Sequence, residues 1–394
     1  MDSETLLARI TDYASRPDPY PLYAELREAG HIVWQAGGSC LVGGYHDIAA
    51  LLHDPRMSAD PRTKGEVAHE LPFLRLDDPE HHRLRTLAMR PFGPPHSPRR
   101  VDGMRGEIVR ITEELLAPFE AGRQVDVVDD FAYPLPVAVI CRLLGVPRED
   151  EPLFRAWSDA IVASADVRPD EDATATDKAG EQARMEMGGY LVHLAEQRRG
   201  HPGDDMLSAF ANEPDPALRL TREELAQTAV LLLIAGHETT VNLITNGVLT
   251  LMRRPEQLDL LRREPELLPR AVEELLRFEP PVHMRERIPR ADVEVAGHRI
   301  PEGTSVILVL GSGNHDPRRF CDPDRFDPAR PDVEHLGFGG GIHFCYGAPL
   351  ARLEAQAALA ALMPRLATAD LVQDPPPYRQ NAMLRGPRHL TLRL

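Results

Sequence analysis

Thr221-Arg222-Glu223-Glu224 opens a helical pattern that runs on without a proline to Arg253-Arg254, where basic residues and Pro255 stop it. A threonine cap answered three residues later by Glu satisfies two of the amides that a helix start leaves unpaired. At ~1.5 Å per residue, thirty-odd residues span about 50 Å, the width of a domain, so the rest of the chain must be built around this rod. Its uncharged apolar-rich runs, Leu225 to Gly236 and Thr239 to Met252, each fall short of a bilayer span. Midway the pattern carries Ala235-Gly236-His237-Glu238-Thr239-Thr240. Gly weakens a helix and burying Glu and Thr costs desolvation, so a structural origin for that cluster is weak. The competing reading is a polar face that touches solvent.

The second constraint is Phe338-Gly339-Gly340-Gly341-Ile342-His343-Phe344-Cys345-Tyr346-Gly347, followed by the helix-like Ala348-Pro349-Leu350-Ala351-Arg352-Leu353-Glu354. Three consecutive glycines add no side-chain area to a core and cost backbone entropy. They suit main chain lying against something flat. Cys345 precedes a helix start, where unpaired amides and the macrodipole favour a thiolate. Such a thiolate is a soft metal ligand, and some heme irons are held by one. No CxxC or Cys/His cluster points to zinc or an iron-sulfur cluster, and no Gly-Lys-Ser/Thr follows for a phosphate. A small buried hydrophobe is the bland alternative for any single cysteine.

Phe-x-x-Gly-x-His-x-Cys-x-Gly, matched by residues 338 to 347 at every fixed position, resembles the heme-thiolate loop of the cytochrome P450 family. The resemblance extends over most of the chain. Ala235 to Thr239 is similar to the family's Ala/Gly-Gly-x-Asp/Glu-Thr segment. In that family small residues there open a groove over the iron, and Glu238 and Thr239 would pass protons toward dioxygen. His81 and Arg85, at i and i+4 in a helix begun by Pro79, match a propionate clamp; taken alone the pair reads as a solvated helix face. Arg287 and His343 match further propionate contacts. Together with Ala235, Phe338, Gly339 and Gly347 these are the residues the resemblance assigns to heme b, with Cys345 as axial ligand. Glu274 and Arg277 match a buried structural pair, and Ala235, Val282, His283, Arg285 and Met383 are expected to line the substrate pocket. His283 and Arg285 are polar for that position, so they would meet either a polar part of the substrate or propionate and solvent.

The fold implied is mainly α with small β-sheets, a cytochrome P450 fold enclosing a buried heme in a single domain over residues 1–394. Helices are expected over residues 21–29, 47–52, 103–120, 131–144, 149–164 and 180–198, and a last one ending by Pro364. Gly37-Gly38 predicts a hairpin between residues 31–35 and 40–42, and strands are expected at 293–295 and 305–310. Asp166 to Asp177 reads as a loop over the substrate entrance, and Met57 to Leu74 with Ile161 to Met187 should shape the pocket. The proline-rich segment 91–98 and Gly311-Ser312-Gly313 depart from the family's usual pattern, the glycines promising a looser backbone.

A net charge of −16 disfavours nucleic acid as a partner, and residues 1 to 20 show neither a signal peptide nor a membrane anchor. Four cysteines without a disulfide spacing suit a reducing cytoplasm. The implied activity is monooxygenation of a small or medium organic molecule with O2, a biosynthetic step on a secondary metabolite rather than catabolism of a terpene or aromatic acid. No flavin or iron-sulfur motif occurs, so a ferredoxin and a ferredoxin reductase are implied, docking on Arg83, Arg90, Arg99 and Arg100 of a monomer with no membrane contact. Two other classes remain: a non-catalytic heme sensor, which would not need Glu238 and Thr239, and a cysteine hydrolase, for which His343 is a badly placed base.

Overall fold

The computed structural model describes residues 5–65, 71–93, 100–164, 173–201 and 203–394. The chain is mainly helical with small sheets, as expected. It groups into two compact units, one of Met1–Glu66, Thr112–Ala132 and Thr239–Leu394, the other of Val67–Ile111 and Tyr133–Glu238. Arg99 and most of segments 91–98 and 166–177 lie outside the described residues.

Among the described residues, all the sheets lie in the first unit. Its largest has five strands in the order Val33–Trp34, Cys40–Val42, Val306–Leu308, Arg285–Pro289 and Met57–Ser58. Gly37 and Gly38, with φ of +94° and +85°, make the predicted hairpin turn that pairs Val33 with Leu41. Arg285 pairs with Leu308 and Arg287 with Val306 in an antiparallel ladder. Behind the sheet pack Tyr45, Ile48 and Leu51 of the helix Tyr45–His53, with Val295, Ile300 and Leu336. Val293–Val295 and His298–Ile300 form a separate hairpin, and Gln124–Asp126, Thr391–Arg393 and Asp370–Leu371 a third small sheet.

Gly311 and Gly313 do not loosen the chain. They lie in a short buried helix, Leu310–Gly313, where an added Cβ would come within 2.9 Å of the His283 ring and 2.6 Å of Leu336. The last helix, Ala348–Leu366, carries Pro364 inside its final turn instead of stopping before it.

In the second unit Pro134–Leu144 and Glu151–Ser164 are helical close to the expected bounds. The next helix, Ala173–Gln197, begins seven residues earlier than its missing apolar stripe suggested. Alanine is the strongest helix former, and Gly180 lets this helix close on Ser164, whose Oγ would stand 2.2 Å from an added Cβ. The long helix runs from Arg222 to Met252 and its capping box is formed: Glu224 N–H donates to Thr221 Oγ1 at 3.1 Å and Thr221 N–H to Glu224 Oε2 at 2.9 Å. It is the one described helix long and apolar enough to cross a membrane, yet 72% of its apolar window is buried within the protein. A rod this apolar is stable in water only because other elements cover it.

Candidate heme-thiolate site

The cysteine loop is held by main-chain bonds: Gly339 N–H donates to Leu336 O, Phe344 N–H to Gly341 O, and Cys345 N–H to Phe338 O at 2.9 Å. Gly339 and Gly341 adopt φ of +70° and +62°, the left-handed region that glycine tolerates best. The glycines divide by neighbour. A Cβ on Gly341 would stand 2.1 Å from Leu52 O and one on Gly340 2.9 Å from the His53 ring, so both serve packing on the helix Tyr45–His53. Gly347 meets nothing within 4 Å, and Gly339 only His343 O at 3.9 Å. Two of the four glycines therefore bear on protein and two on open space, a division the motif did not reveal.

Cys345 is half-buried and stands just before the helix Ala348–Leu366, whose N-cap Gly347 supplies no side chain. None of the four cysteines forms a disulfide. Burial pushes the Cys40 thiol up to about 12 and the Cys141 thiol higher still, so both remain inert thiols. Cys345 instead has cations nearby. The Arg285 guanidinium is lowered by burial and drawn back up by Cys345, and Arg352, raised first by its bond to Glu273, is raised further by Cys345. Arg352 grips Glu273 at 2.6 and 2.8 Å and lies 4.6 Å over the Phe338 ring. Glu273 is held at about 2: burial works against the carboxylate, and the Arg352 and His335 bonds overcome it. Neither Glu273 nor Arg352 was singled out from sequence, because their pairing spans 79 positions.

Arg285 and Arg287 occupy alternate positions of one strand, both half-buried, with Glu286 exposed between them. Both ring nitrogens of His343 are shielded from solvent. His283, expected at the substrate, is 0% exposed in the core, where Tyr23 Oη lies 2.8 Å from its Nδ1. Burial, then Arg385, His315 and Arg16, keep its pKa well below the ordinary value, so it is neutral. Val282 is buried and bridges to Leu384, while Met383, beside it, is half-buried. Glu274 and Arg277 form a fully buried pair at 2.7 and 2.8 Å. Arg330 joins it at 3.1 Å, a third member that sequence spacing could not reveal.

In the second unit His81 is 2% exposed, with Asp78 at 3.3 Å from its Nδ1; burial lowers its pKa and Asp78 opposes that. Arg85, one turn on, is half-buried. On the long helix Ala235 is exposed and Ile234 and Thr239 half-buried, an open stripe at helical spacing in the middle of a covered rod. Gly236, half-buried beside them, is hemmed in on its Cβ side: a Cβ there would come 3.0 Å from Ile140, so its smallness serves helix packing. His237 and Glu238 are buried at 0% and 1%. The docking arginines are already engaged: Arg83 pairs with Glu224, Arg90 with Glu213 at 3.7 Å and Arg100 with Asp204 at 2.9 Å. Their charges are largely offset, which removes the basis for a basic patch at these three.

The residues fit a heme. A soft sulfur donor lies within the field of two guanidinium groups, a third cation shares the Arg285 face, and Gly339 and Gly347 of the same loop have open space where a side chain would stand. A macrocycle bearing two carboxylates calls for that donor set.

The family model described as "Cytochrome P450" matches residues 40–394. The chain is 43% identical to the cytochrome P450 monooxygenase PikC of Streptomyces venezuelae, over 97% of this chain and 92% of that one. It is 40% identical to 6-deoxyerythronolide B hydroxylase of Saccharopolyspora erythraea, over 96% of each. The crystal structure of ligand-free CYP164A2 of Mycobacterium smegmatis superposes with a TM-score of 0.91 at 38% identity, covering 100% of both chains.

Proposed function

This chain belongs to the cytochrome P450 family and is a monooxygenase, and we propose that it holds heme b through the Cys345 thiolate and inserts one atom of O2 into a small or medium secondary metabolite. The family match, over residues 40–394, crosses both compact units, which supports reading that span as one functional domain. When bound, the heme supplies the electron-transfer and dioxygen chemistry that no side chain provides.

The chain's own residues bind, orient and move protons. Cys345 would hold the iron, and the Arg285 and Arg352 guanidinium groups stand close enough to interact electrostatically with it. Arg287, His343, His81 and Arg85 bind the propionates, with Arg285 joining them because it shares the face of Arg287. Phe338, Gly339 and Gly347 form the loop surface beside the sulfur. Ala235 would leave room for the cofactor, and Val282 and Met383 would border the substrate. Glu238 and Thr239 hold and pass protons at the carboxyl oxygen and the hydroxyl. Glu274 and Arg277 do no chemistry; buried and paired, they brace the fold. Electrons come from a ferredoxin and its reductase, and the enzyme works in the cytoplasm.

The observation that carries this reading is the half-buried Cys345 under the influence of two guanidinium groups while Cys40 and Cys141 are sealed in the core. Reduced holoprotein exposed to carbon monoxide should give the absorption band diagnostic of sulfur ligation, and Cys345→Ser should lose it. Wild-type protein without that band overturns the assignment.

A further inference from the structure

We propose that His237 is a positioning residue that shares one proton with Glu238, so that the acid on the long helix is kept as a proton-loaded pair and not as a bare carboxylate. The inference rests on the monooxygenase reading and extends it to a residue that the family motif leaves unspecified.

His237 Nδ1 lies 2.7 Å from Leu233 O, and His237 Nε2 lies 3.2 Å from Glu238 Oε1. A carbonyl oxygen can only accept, so Nδ1 carries the hydrogen of the first bond. The second contact then has two forms. Either Nε2 is also protonated and the imidazolium donates to a carboxylate, or Nε2 accepts from a protonated carboxyl. Both contain the same number of protons and both leave the pair uncharged. The remaining arrangement, a neutral Nε2 lone pair facing a carboxylate, sets two acceptors against each other where the side chains are 0% and 2% exposed.

Neighbours on a helix do not ordinarily face each other, so this contact needs a cause. The bond to Leu233 O folds the imidazole back along its own helix, and the Tyr133 ring meets it edge-to-face, with centroids 5.7 Å apart at 82°. The Arg155 guanidinium lies 4.7 Å over the Tyr133 ring. The imidazole is therefore held on one side by a carbonyl and on another by an aromatic ring, with its free nitrogen turned to Glu238.

The proton count gives the pair its use. When Glu238 yields a proton, its O–H bond breaks, the electron pair stays on oxygen, and the carboxylate is left beside the neutral imidazole. That state has a net charge of −1 in a dry interior, and uptake of one proton from solvent restores the uncharged pair. Glu238 next to Thr239 would thus reload after each delivery.

The test uses full-length holoprotein with 15N-labelled histidine in its reduced carbon-monoxide form, which is diamagnetic. The His237 ring signals, assigned by their loss in His237→Gln, should show either both nitrogens protonated, or Nδ1–H alone together with an infrared carboxylic-acid band that vanishes in Glu238→Gln. A neutral Nε2–H tautomer overturns the proposal, as does a neutral ring with no acid band from Glu238. In turnover, His237→Phe keeps a ring against Tyr133 but removes the proton site. It should lower product formed per reductant consumed by about tenfold and enlarge the solvent isotope effect, with the sulfur-ligation band unchanged. Unchanged coupling and isotope effect in that variant refute the role. A wild-type protein that binds heme but never turns over refutes the monooxygenase reading instead, and the resonance and infrared measurements still decide the proton count.

Discussion

Arg285 and Arg287 stand two residues apart on one strand and present to the same side, with Cys345 close enough to act electrostatically on the first of them. The period of a strand makes this unavoidable, since alternate residues share a face. Arg285→Ala and Arg287→Ala are each expected to lose heme to apomyoglobin faster than wild type, by roughly tenfold, the size of one charge-assisted hydrogen bond. Lysine should restore little at either position, because an ammonium lacks the planar fork of donors. Wild-type heme retention in Arg285→Ala, with altered substrate affinity, would return Arg285 to the substrate.

Thr239 is half-buried on the open stripe of the long helix, one position after the buried Glu238. Thr239→Ala should go on consuming reductant while releasing peroxide in place of product, with coupling down by about tenfold or more. Peroxide and product measured against NADPH or NADH consumed would check it; coupling equal to wild type contradicts a proton-delivery role.

Gly341 has a φ of +62° and a place for Cβ only 2.1 Å from Leu52 O, a backbone atom that cannot step aside. Gly341→Ala should destabilise the fold by about 3 kcal/mol or more, read from thermal or denaturant unfolding. Gly347, with a φ of −86° and nothing within 4 Å, should accept alanine with little change in unfolding. Equal stability of the two variants would mean that the loop does not rest on Leu52.

Glu354 is 1% exposed, its Oε2 has no hydrogen-bond partner, and burial raises its pKa well above the ordinary carboxyl value. The folded protein therefore keeps this proton at pH values where the unfolded chain has lost it. Stability from this group is complete below the unfolded pKa of about 4.3 and falls as pH rises through the folded pKa. Glu354→Gln removes the ionisation, so it should unfold at a higher temperature than wild type near neutral pH, with the gap closing toward pH 4. A gap that does not vary with pH would show that Glu354 is ionised in the folded state.

Much of the molecule was legible from local patterns. The capping box at Thr221 and Glu224 formed as read, because a helix start satisfies its own amides with residues three apart. The Gly37-Gly38 turn followed from the positive φ that both positions require. The helix Ala173–Gln197 begins seven residues before the expected start, since alanines without an apolar stripe still favour helix and Gly180 lets it close on Ser164 of the neighbouring Glu151–Ser164. The glycines at 311 and 313 promise slack by composition, whereas Tyr23, His283, Ile48 and Leu336 close in on them.

What the amino-acid order determined by itself is the chemistry on offer: a cysteine before a helix start, an acid and an alcohol in mid-rod, and arginines at 285 and 287 ahead of the strand-like Val293. These depend on neighbours within a few residues, where covalent geometry dictates who meets whom. Tertiary structure alone decided which glycines bear on protein, that Arg330 completes the Glu274 and Arg277 pair, that His283 is sealed beside Tyr23, and that Arg83, Arg90 and Arg100 are already matched by acids. Those outcomes turn on contacts between residues tens to hundreds of positions apart, and a contact at that range exists only once the packing of the whole chain has set the distance.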